Sequence, residues 1–256
     1  MTTPTIAIIA GASVVPELYA PLQSAFETKG YPTVVTEPPS ITTADATTVL
    51  VDTDVEYVRL SVLAPLLAEG KDVVLLLHSY GGAYGAAAAQ GVSKKERLEK
   101  GEKGGVVGIV YAASFVVEPG QNALEALALT DLAGSGVVPG EKPGTLIFTS
   151  AAVLWPSLSP EEGAERIAKM KPCSVSAIAT ATSILYAPYQ DPAYEGKIAF
   201  IGMEDDRLVT AERKKAYLET SGITLVKNLK GGHGIDLENA EEVADAVVGF
   251  VEGFGK

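Results

Sequence analysis

The stretch VVLLLHSYGGAYGAAAA, residues 73–89, determines how the rest of this sequence is interpreted. Its first half is a continuous apolar run, which is typical of a strand covered on both faces by helices. Its second half is rich in alanine and predicts a helix. Ser79 lies at the junction, so it is either an ordinary helix N-cap or a nucleophile held on a sharp turn. The local sequence leaves both interpretations open.

Six apolar segments rich in β-branched residues alternate with helical patterns along the chain. They span residues 5–10, 31–38, 72–78, 105–113, 197–202 and 223–229. Because strand and helix alternate, we predict an α/β fold, a doubly wound and mostly parallel sheet in a single domain of residues 1–256. Residues 118–194 break this rhythm, and we expect them to form a helical cap inserted over the carboxyl ends of the strands. Within it, Ser159 and Glu162 predict a capping box at a helix start.

The composition argues against several classes of partner. A formal net charge of -12 at pH 7 would repel nucleic acid and anionic membrane surfaces. The N-terminal apolar run breaks at Gly11, too early for a signal peptide or a membrane span, so we expect a cytoplasmic protein. Cys173 is the single cysteine, which argues against a disulfide framework and a cysteine zinc site. We expect no metal, no organic cofactor, no nucleic acid and no membrane as partner, while a homodimer stays open.

Polar residues follow the predicted strands at the places where an open parallel sheet binds its ligands, the carboxyl ends. Ser79 follows the third segment, three acids at residues 204–206 follow the fifth, and His233 lies between glycines after the sixth. A serine hydroxyl is a poor nucleophile at neutral pH, so an imidazole must take its proton and an acid must fix the imidazole's tautomer. The ordered set therefore favours a nucleophilic Ser79 over a helix cap.

Two histidines and three acids compete for the other places in this set. His78 is adjacent to Ser79, where successive side chains diverge, so His233 is the better base. Among the acids, Asp205 best fits the turn after the fifth strand. Asp206 is expected to pair with the arginine that follows it or to cap the next helix, although the neighbours of Asp205 stay open as alternatives.

Together these residues resemble the α/β-hydrolase superfamily over nearly the whole chain, and within it the small esterase and hydroxynitrile-lyase group that includes plant methyl-ester esterases. The matching segments are residues 10–12, 77–82, 111–115, 202–205 and 231–233. The resemblance implies a catalytic triad of Ser79, Asp205 and His233. It also implies an oxyanion hole made by the backbone N–H groups of Ala12 and Tyr80.

Further residues are candidates for contact with a substrate. Those beside the expected triad are Gly11, Ser13, His78 and Phe115, and the predicted cap adds Trp155, Phe148, Tyr186 and Tyr189. Apolar aromatic walls would exclude water from the reacting bond and select the acyl or alcohol part of a small-molecule ester or lactone.

One position departs from the family pattern. The elbow of the family reads G-x-S-x-G, and Leu77 takes the place of its first glycine. Because the elbow is tightly packed, Leu77 needs local space. We expect Gly81, Gly82 and Gly85 to supply that space by letting the helix come close to the sheet.

The favoured function is hydrolysis of a small, largely apolar carboxylic ester or lactone through an acyl-enzyme. Hydroxynitrile lyases of the same group resemble one another in having Thr where Gly11 stands and Lys where Gly234 stands, so a lyase is the second choice. Other carbon–carbon cleavage stays open. A non-catalytic, hydrolase-like binding protein is the third hypothesis. A nucleotide-binding reductase is disfavoured, because the first glycine after Gly11 is Gly30.

Overall fold

Six parallel strands form the central sheet of the computed structural model, which describes residues 3–127, 135–180, 184–237 and 239–254. The strands in these ranges are β1 (Thr5–Ile9), β2 (Thr33–Val35), β3 (Asp72–His78), β4 (Gly105–Ala112), β5 (Val137–Pro139), β6 (Thr145–Phe148), β7 (Cys173–Ser174), β8 (Ile198–Met203) and β9 (Leu225–Leu229). The central sheet has the order β2-β1-β3-β4-β8-β9, and each neighbouring pair is parallel. Strands β1 and β8 are buried along their whole length.

Helices flank this sheet. In the described ranges they are α1 (Ala20–Thr28), α2 (Pro39–Thr42), α3 (Val51–Tyr57), α4 (Ala64–Ala68), α5 (Gly81–Ala88), α6 (Lys94–Glu99), α7 (Ala123–Ala126), α8 (Ala151–Leu154), α9 (Pro160–Lys169), α10 (Val175–Ala179), α11 (Ala211–Ser221) and α12 (Ala240–Gly253). A π-helical stretch, Val58–Leu63, joins α3 to α4. Helix α5 packs against β3 and α3, and α1 packs against α12. None of the described helices combines the length and the apolar character that crossing a membrane requires.

The prediction of an α/β fold with a mostly parallel sheet is confirmed. Each of the six predicted strands is present, although the weak segment 31–38 yields only the three residues of β2. Pro32 and Pro38 flank this short strand. Proline lacks a backbone N–H, and the N–H groups of an interior strand are all needed for hydrogen bonds to its two neighbouring strands. Strand β2 accordingly lies at an edge of the sheet.

The segment between β4 and β8 carries helices, as expected, but also a sheet that the sequence did not predict. Strands β5, β6 and β7 form a three-stranded antiparallel sheet. Strands of two to four residues are too short for a period-two pattern to stand out. The predicted capping box is confirmed, because the Ser159 side chain accepts from the Glu162 N–H and the Glu162 side chain accepts in return from the Ser159 N–H.

Three glycines of α5 let the helix lie close to the sheet, and one of them, Gly85, adjoins Leu77. A Cβ on Gly85 would lie 2.6 Å from Leu77 Cδ2, so the leucine side chain occupies the place where a helix side chain would normally be. A Cβ on Gly81 or Gly82 would lie 2.3 or 2.1 Å from a backbone carbonyl oxygen. The helix therefore approaches the sheet closely because it lacks side chains at these three positions, as expected, and Gly85 is the one that leaves space for Leu77 itself.

The contact between Leu77 and Gly85 predicts a coupled effect on stability. Gly85→Ala should lower the free energy of unfolding by about 1–3 kcal/mol, because its methyl group overlaps Leu77 and also Ile9, whose Cγ2 would lie 2.7 Å away. Leu77→Ala alone should lower it by about 2–5 kcal/mol through the cavity that it leaves. In the double variant the new methyl group fills part of that cavity, so the loss should be smaller than the sum. Urea unfolding measures all four proteins.

The matched control is Gly249→Ala in α12. A Cβ on Gly249 would have no heavy atom within 4 Å, so helix propensity alone should decide the result. We expect this variant to gain about 0.5–1 kcal/mol. Strictly additive losses at residues 77 and 85 would contradict the packing described above.

Candidate active site

Ser79 lies on the turn between β3 and α5 in a strained backbone conformation. Its φ of 52° is in the left-handed region, which non-glycine residues rarely adopt. The turn is held by hydrogen bonds to the Ser79 carbonyl oxygen from the Gly82 N–H at 2.9 Å, the Ser114 hydroxyl at 2.9 Å and the Phe115 N–H at 3.4 Å. The residues that follow β4 therefore fix the turn that presents the Ser79 hydroxyl.

His233 connects Ser79 to a carboxylate. Its Nε2 lies 2.7 Å from Ser79 Oγ, and its Nδ1 lies 2.9 Å from Asp206 Oδ2. A carboxylate only accepts hydrogen bonds, so the proton of a neutral His233 resides on Nδ1 and Nε2 is free to accept from the Ser79 hydroxyl. All three side chains are buried. This arrangement can draw the proton from the serine as it attacks an electrophile.

Asp206 is held in its ionised form by its surroundings. Burial by itself would raise the pKa of this carboxyl, but contact with His233 and two backbone donors outweighs burial and leaves the pKa below its usual value. The two donors are the N–H groups of Leu208 and Val209, 2.8 and 2.9 Å from Oδ1. The second oxygen is thereby left for His233.

The preference for Asp205 is corrected by this geometry. The Asp205 side chain is exposed, and its Oδ2 accepts from the Gly231 N–H at 3.2 Å instead of contacting His233. The error is one residue of register in the turn after β8, where no periodic pattern fixes the direction of a side chain. Asp206 does accept from the backbone N–H groups that follow it, as a cap would, and its other oxygen faces His233. Glu204 is exposed.

The loop that carries His233 packs directly against the segment between β4 and β8 (the inserted segment). A Cβ on Gly232 would lie 2.2 Å from Pro156 Cδ, and a Cβ on Gly234 would lie 2.0 Å from Trp155 Nε1. The Gly234 N–H also donates to the Leu154 carbonyl at 2.7 Å. Packing therefore requires glycine on either side of His233, because any larger residue would overlap the inserted segment. Trp155, expected as a substrate contact, is instead buried against this loop.

His78 joins three loops of the site and is not a wall of the cavity. Its Nδ1 accepts from the Tyr19 hydroxyl at 2.6 Å, and its Nε2 donates to the His233 carbonyl at 2.9 Å. Tyr19 in turn accepts from the Gly11 N–H at 3.0 Å. Burial and the nearby His233 lower the pKa of His78 to about 3, so the ring stays neutral near neutral pH. The expectation that His78 contacts substrate is corrected, because both ring nitrogens are engaged inside the protein.

Ser79 opens on a small apolar cavity of about 40 Å³. Strands β5 and β6 supply Val137, Leu146 and Phe148, and none of the described residues that line the cavity is charged. Ala12 and Tyr80, the expected oxyanion residues, line it beside Ser79. The small antiparallel sheet, which sequence reasoning missed, therefore forms a wall of the site.

The expected substrate contacts divide into two groups. Phe115 and Phe148 line the cavity. The other expected contacts, apart from His78 and Trp155 described above, lie elsewhere: Gly11, Ser13, Tyr186 and Tyr189. Gly11 packs behind the nucleophile, since a Cβ there would lie 3.0 Å from Ser79 Cβ, and Ser13 is fully buried. Tyr186 borders a separate depression and donates its hydroxyl to Asp191 at 2.8 Å.

The fold and this geometry agree with a comparison against known families. Residues 10–246 match the family model described as the alpha/beta hydrolase family. The chain belongs to the alpha/beta hydrolase family. An alpha/beta hydrolase from Aspergillus novofumigatus is 33% identical over 122 residues, which span 48% of this chain and 47% of that protein, about half of its length. A protein from a Phoma species, named as a probable hydrolase, is 26% identical over 96% of this chain and 98% of its own.

Several solved structures share the fold over nearly the whole chain. A pyrethroid hydrolase from Sphingobium faniae superposes with a TM-score of 0.68 at 18% identity, covering 98% of both chains. Polyneuridine aldehyde esterase gives a TM-score of 0.72 at 16% identity, covering 96% of this chain and 98% of its own. A methylesterase from Arabidopsis gives 0.70 at 15% identity, covering 98% and 99%. At these identities the likeness shows a common fold.

Proposed function

We propose that this alpha/beta hydrolase cleaves a small, largely apolar carboxylic ester or lactone through an acyl-enzyme. The observation that carries the proposal is the unbroken chain of contacts from Asp206 through His233 to Ser79, at a cavity whose described lining carries no charged side chain. Activated serine hydroxyls of this kind attack carbonyl carbons. The esterase-type structures that share the fold are consistent with this choice.

The geometry gives each side chain one task. Ser79 Oγ attacks the carbonyl carbon while His233 Nε2 takes its proton, and Asp206 stabilises the imidazolium that forms. His233 then returns the proton to the departing alcohol oxygen, which leaves an ester between Ser79 and the acyl group. Water attacks this acyl-enzyme in the same way, with His233 taking its proton, and the acid departs as Ser79 regains its hydrogen.

The developing negative charge needs donors on the far side of the carbonyl. The backbone N–H groups of Ala12 and Tyr80 suit this task, because both residues line the cavity beside Ser79. In the described part of the chain neither N–H donates to a protein acceptor. Donors that are preorganised in this way act on the tetrahedral intermediate, and loss of one typically lowers the rate by about 10²–10³-fold.

The cavity walls support a neutral, apolar substrate. A charged group placed between Val137, Leu146 and Phe148 would lose its hydration without gaining a charged partner among the described lining residues. An aliphatic or aromatic group would instead gain from leaving water. We therefore assign the cavity to the acyl or alcohol part of the ester, and no cofactor enters the scheme.

Two positions favour hydrolysis over the lyase alternative. A Cβ on Gly234 would lie 2.0 Å from Trp155 Nε1, so the loop has no room for the lysine of the hydroxynitrile lyases. A Cβ on Gly11 would lie 3.0 Å from Ser79 Cβ, which also disfavours a threonine there. The first contact depends on the Trp155 side chain, which is held in place by its hydrogen bond to Asp236 at 3.0 Å.

A fluorophosphonate probe tests the nucleophile. We expect mass spectrometry to locate one adduct on Ser79, no adduct in Ser79→Ala, and slower labelling in His233→Ala, because the imidazole takes the serine's proton. A wild-type protein without any labelled serine would refute the proposal and favour the non-catalytic hypothesis. p-Nitrophenyl butyrate and mandelonitrile, offered side by side, separate esterase from lyase, and turnover of mandelonitrile alone would overturn our choice.

A further inference from the structure

A buried carboxyl lies behind the nucleophile turn and takes no part in the contacts from Ser79 to Asp206. Asp54, on α3, is fully buried. Its Oδ1 accepts from the Ser40 backbone N–H at 2.9 Å, and its Oδ2 accepts from the Tyr80 hydroxyl at 2.8 Å. Within the described ranges no Lys, Arg or His side chain forms an ion pair with Asp54. Burial therefore raises the pKa of Asp54, and the donors from Ser40 and Tyr80 only partly oppose this rise.

A carboxyl in this place is costly for the fold. An acid taken out of water without a cation loses hydration that two hydrogen bonds restore only in part. Leucine has the same branched outline, is larger, and would avoid that loss of hydration. Packing alone therefore gives no reason for an acid at Asp54, and its contact with Tyr80 offers one.

Tyr80 connects the nucleophile turn to two other parts of the protein. Its backbone follows Ser79 directly and stands at the start of α5, and its ring lies 4.9 Å from the ring of Tyr84. Its hydroxyl reaches Asp54 on α3 and lies 3.4 Å from the carbonyl oxygen of Ala177 on α10. The side chain is thus anchored at its far end, and the position of that end constrains the peptide group of Tyr80.

We propose that Asp54 is a positioning residue that keeps the Tyr80 N–H aligned with the oxyanion, acting through the Tyr80 hydroxyl. The inference rests on the proposed function, because it requires that this N–H receives the charge of the tetrahedral intermediate. Donors of this kind work only when they are held to within about 0.5 Å of the productive geometry. Asp54 therefore acts on the transition state, and its loss lowers kcat with little change in KM.

Three single variants and one double variant test this role in steady-state hydrolysis of p-nitrophenyl butyrate. Tyr80→Phe and Asp54→Leu should each lower kcat by roughly 10- to 100-fold, less than or up to the effect of a lost oxyanion donor. Asp54→Asn keeps one acceptor and should lose less than Asp54→Leu. The double variant of Tyr80→Phe and Asp54→Leu should be no slower than the worse single variant, because both changes break the same contact.

Tyr194→Phe is the matched control. Tyr194 is a buried tyrosine whose hydroxyl donates to the Ala89 carbonyl at 2.7 Å, at the opposite end of α5 from Ser79. The Tyr194→Phe variant should have a lower Tm in thermal unfolding but the kcat of wild type. Tyr80→Phe removes a single oxygen atom, so it keeps the test available if Asp54→Leu does not fold.

Labelling of wild-type Ser79 by the fluorophosphonate distinguishes failure of the proposed function from failure of the role of Asp54. If wild type is neither labelled nor active, the proposed function fails and the role of Asp54 fails with it. If wild type is labelled and active, an unchanged kcat in Tyr80→Phe overturns the role of Asp54 alone. A rise in KM at constant kcat, or an equal loss of kcat in Tyr194→Phe, would overturn it as well.

Discussion

Asp206→Asn is expected to lower kcat for ester hydrolysis by about 10⁴-fold, the usual effect of an amide at this place in a Ser-His-Asp triad. The N–H groups of Leu208 and Val209 both donate to one oxygen of Asp206, and they would hold the amide oxygen of the asparagine there. Its NH₂ group would then face His233 Nδ1. Since NH₂ is a donor, His233 must accept at Nδ1, so its proton moves to Nε2 and blocks removal of the Ser79 proton.

Asp205→Asn is the natural control for this experiment. It changes the same charge one residue away, but Asp205 is exposed and its carboxylate contacts only the Gly231 N–H among the described groups. We expect kcat within about 2-fold of wild type, because exposed charges have small effects. Steady-state kinetics with the same ester substrate at the same pH gives kcat for both variants. A large loss in Asp205→Asn with an active Asp206→Asn would restore the choice made from the sequence.

The contrast between these two acids shows how far the sequence can predict this site. The sheet follows from the strand patterns. Ser79 and His233 follow from their places at the carboxyl ends of strands, because those ends lie along the same edge of a parallel sheet. The acid lies within a turn, where the direction of each side chain depends on individual backbone angles. The sequence narrows the choice of acid to residues 204–206, and the folded structure identifies Asp206 as the partner of His233.

The inserted segment was harder to predict for a different reason. Aromatic composition indicates that Phe148 and Trp155 are buried, but it does not show what each of them packs against. Phe148 lies on β6 and faces the cavity, whereas Trp155 packs on the loop of His233. The partners of His78 are equally distant along the chain, since its two contacts come from Tyr19 and from the backbone of His233. Such long-range contacts leave no local pattern.

A second large effect is expected at the ion pair that anchors the inserted segment to the His233 loop. Asp236, three residues after His233, is fully buried, and its Oδ1 accepts from Trp155 Nε1 at 3.0 Å. Its Oδ2 pairs with the guanidinium of Arg166 on α9, which also lies 4.6 Å above the Trp155 ring. Arg166 further donates to the Leu18 carbonyl at 3.2 Å. Arg166 thus joins the inserted segment to the loop of His233, through Asp236, and to the segment after β1, through Leu18.

Arg166→Met should lower the free energy of unfolding by about 3–5 kcal/mol, because it leaves the buried carboxyl of Asp236 without a cation. A second change, Asp236→Asn, removes that charge and should recover much of the loss while keeping an oxygen for Trp155. Lys169→Met on the same helix is the control. Its partner Glu17 is exposed, so we expect a loss below about 1 kcal/mol. Urea unfolding at pH 7 measures all of these variants.

The pH dependence of Arg166→Met separates a lost charge partner from lost packing. Burial already raises the pKa of Asp236 above its usual value, against the opposing effect of Arg166, so removal of the arginine raises that pKa further. An acid whose pKa is higher in the folded than in the unfolded protein favours folding when protonated and opposes it when ionised. The stability difference from wild type should therefore be largest near pH 7 and shrink as the pH falls toward about 4. A difference that stays constant over this range would mean that the methionine costs stability through packing, and that the charge of Arg166 is not what anchors the loop of His233.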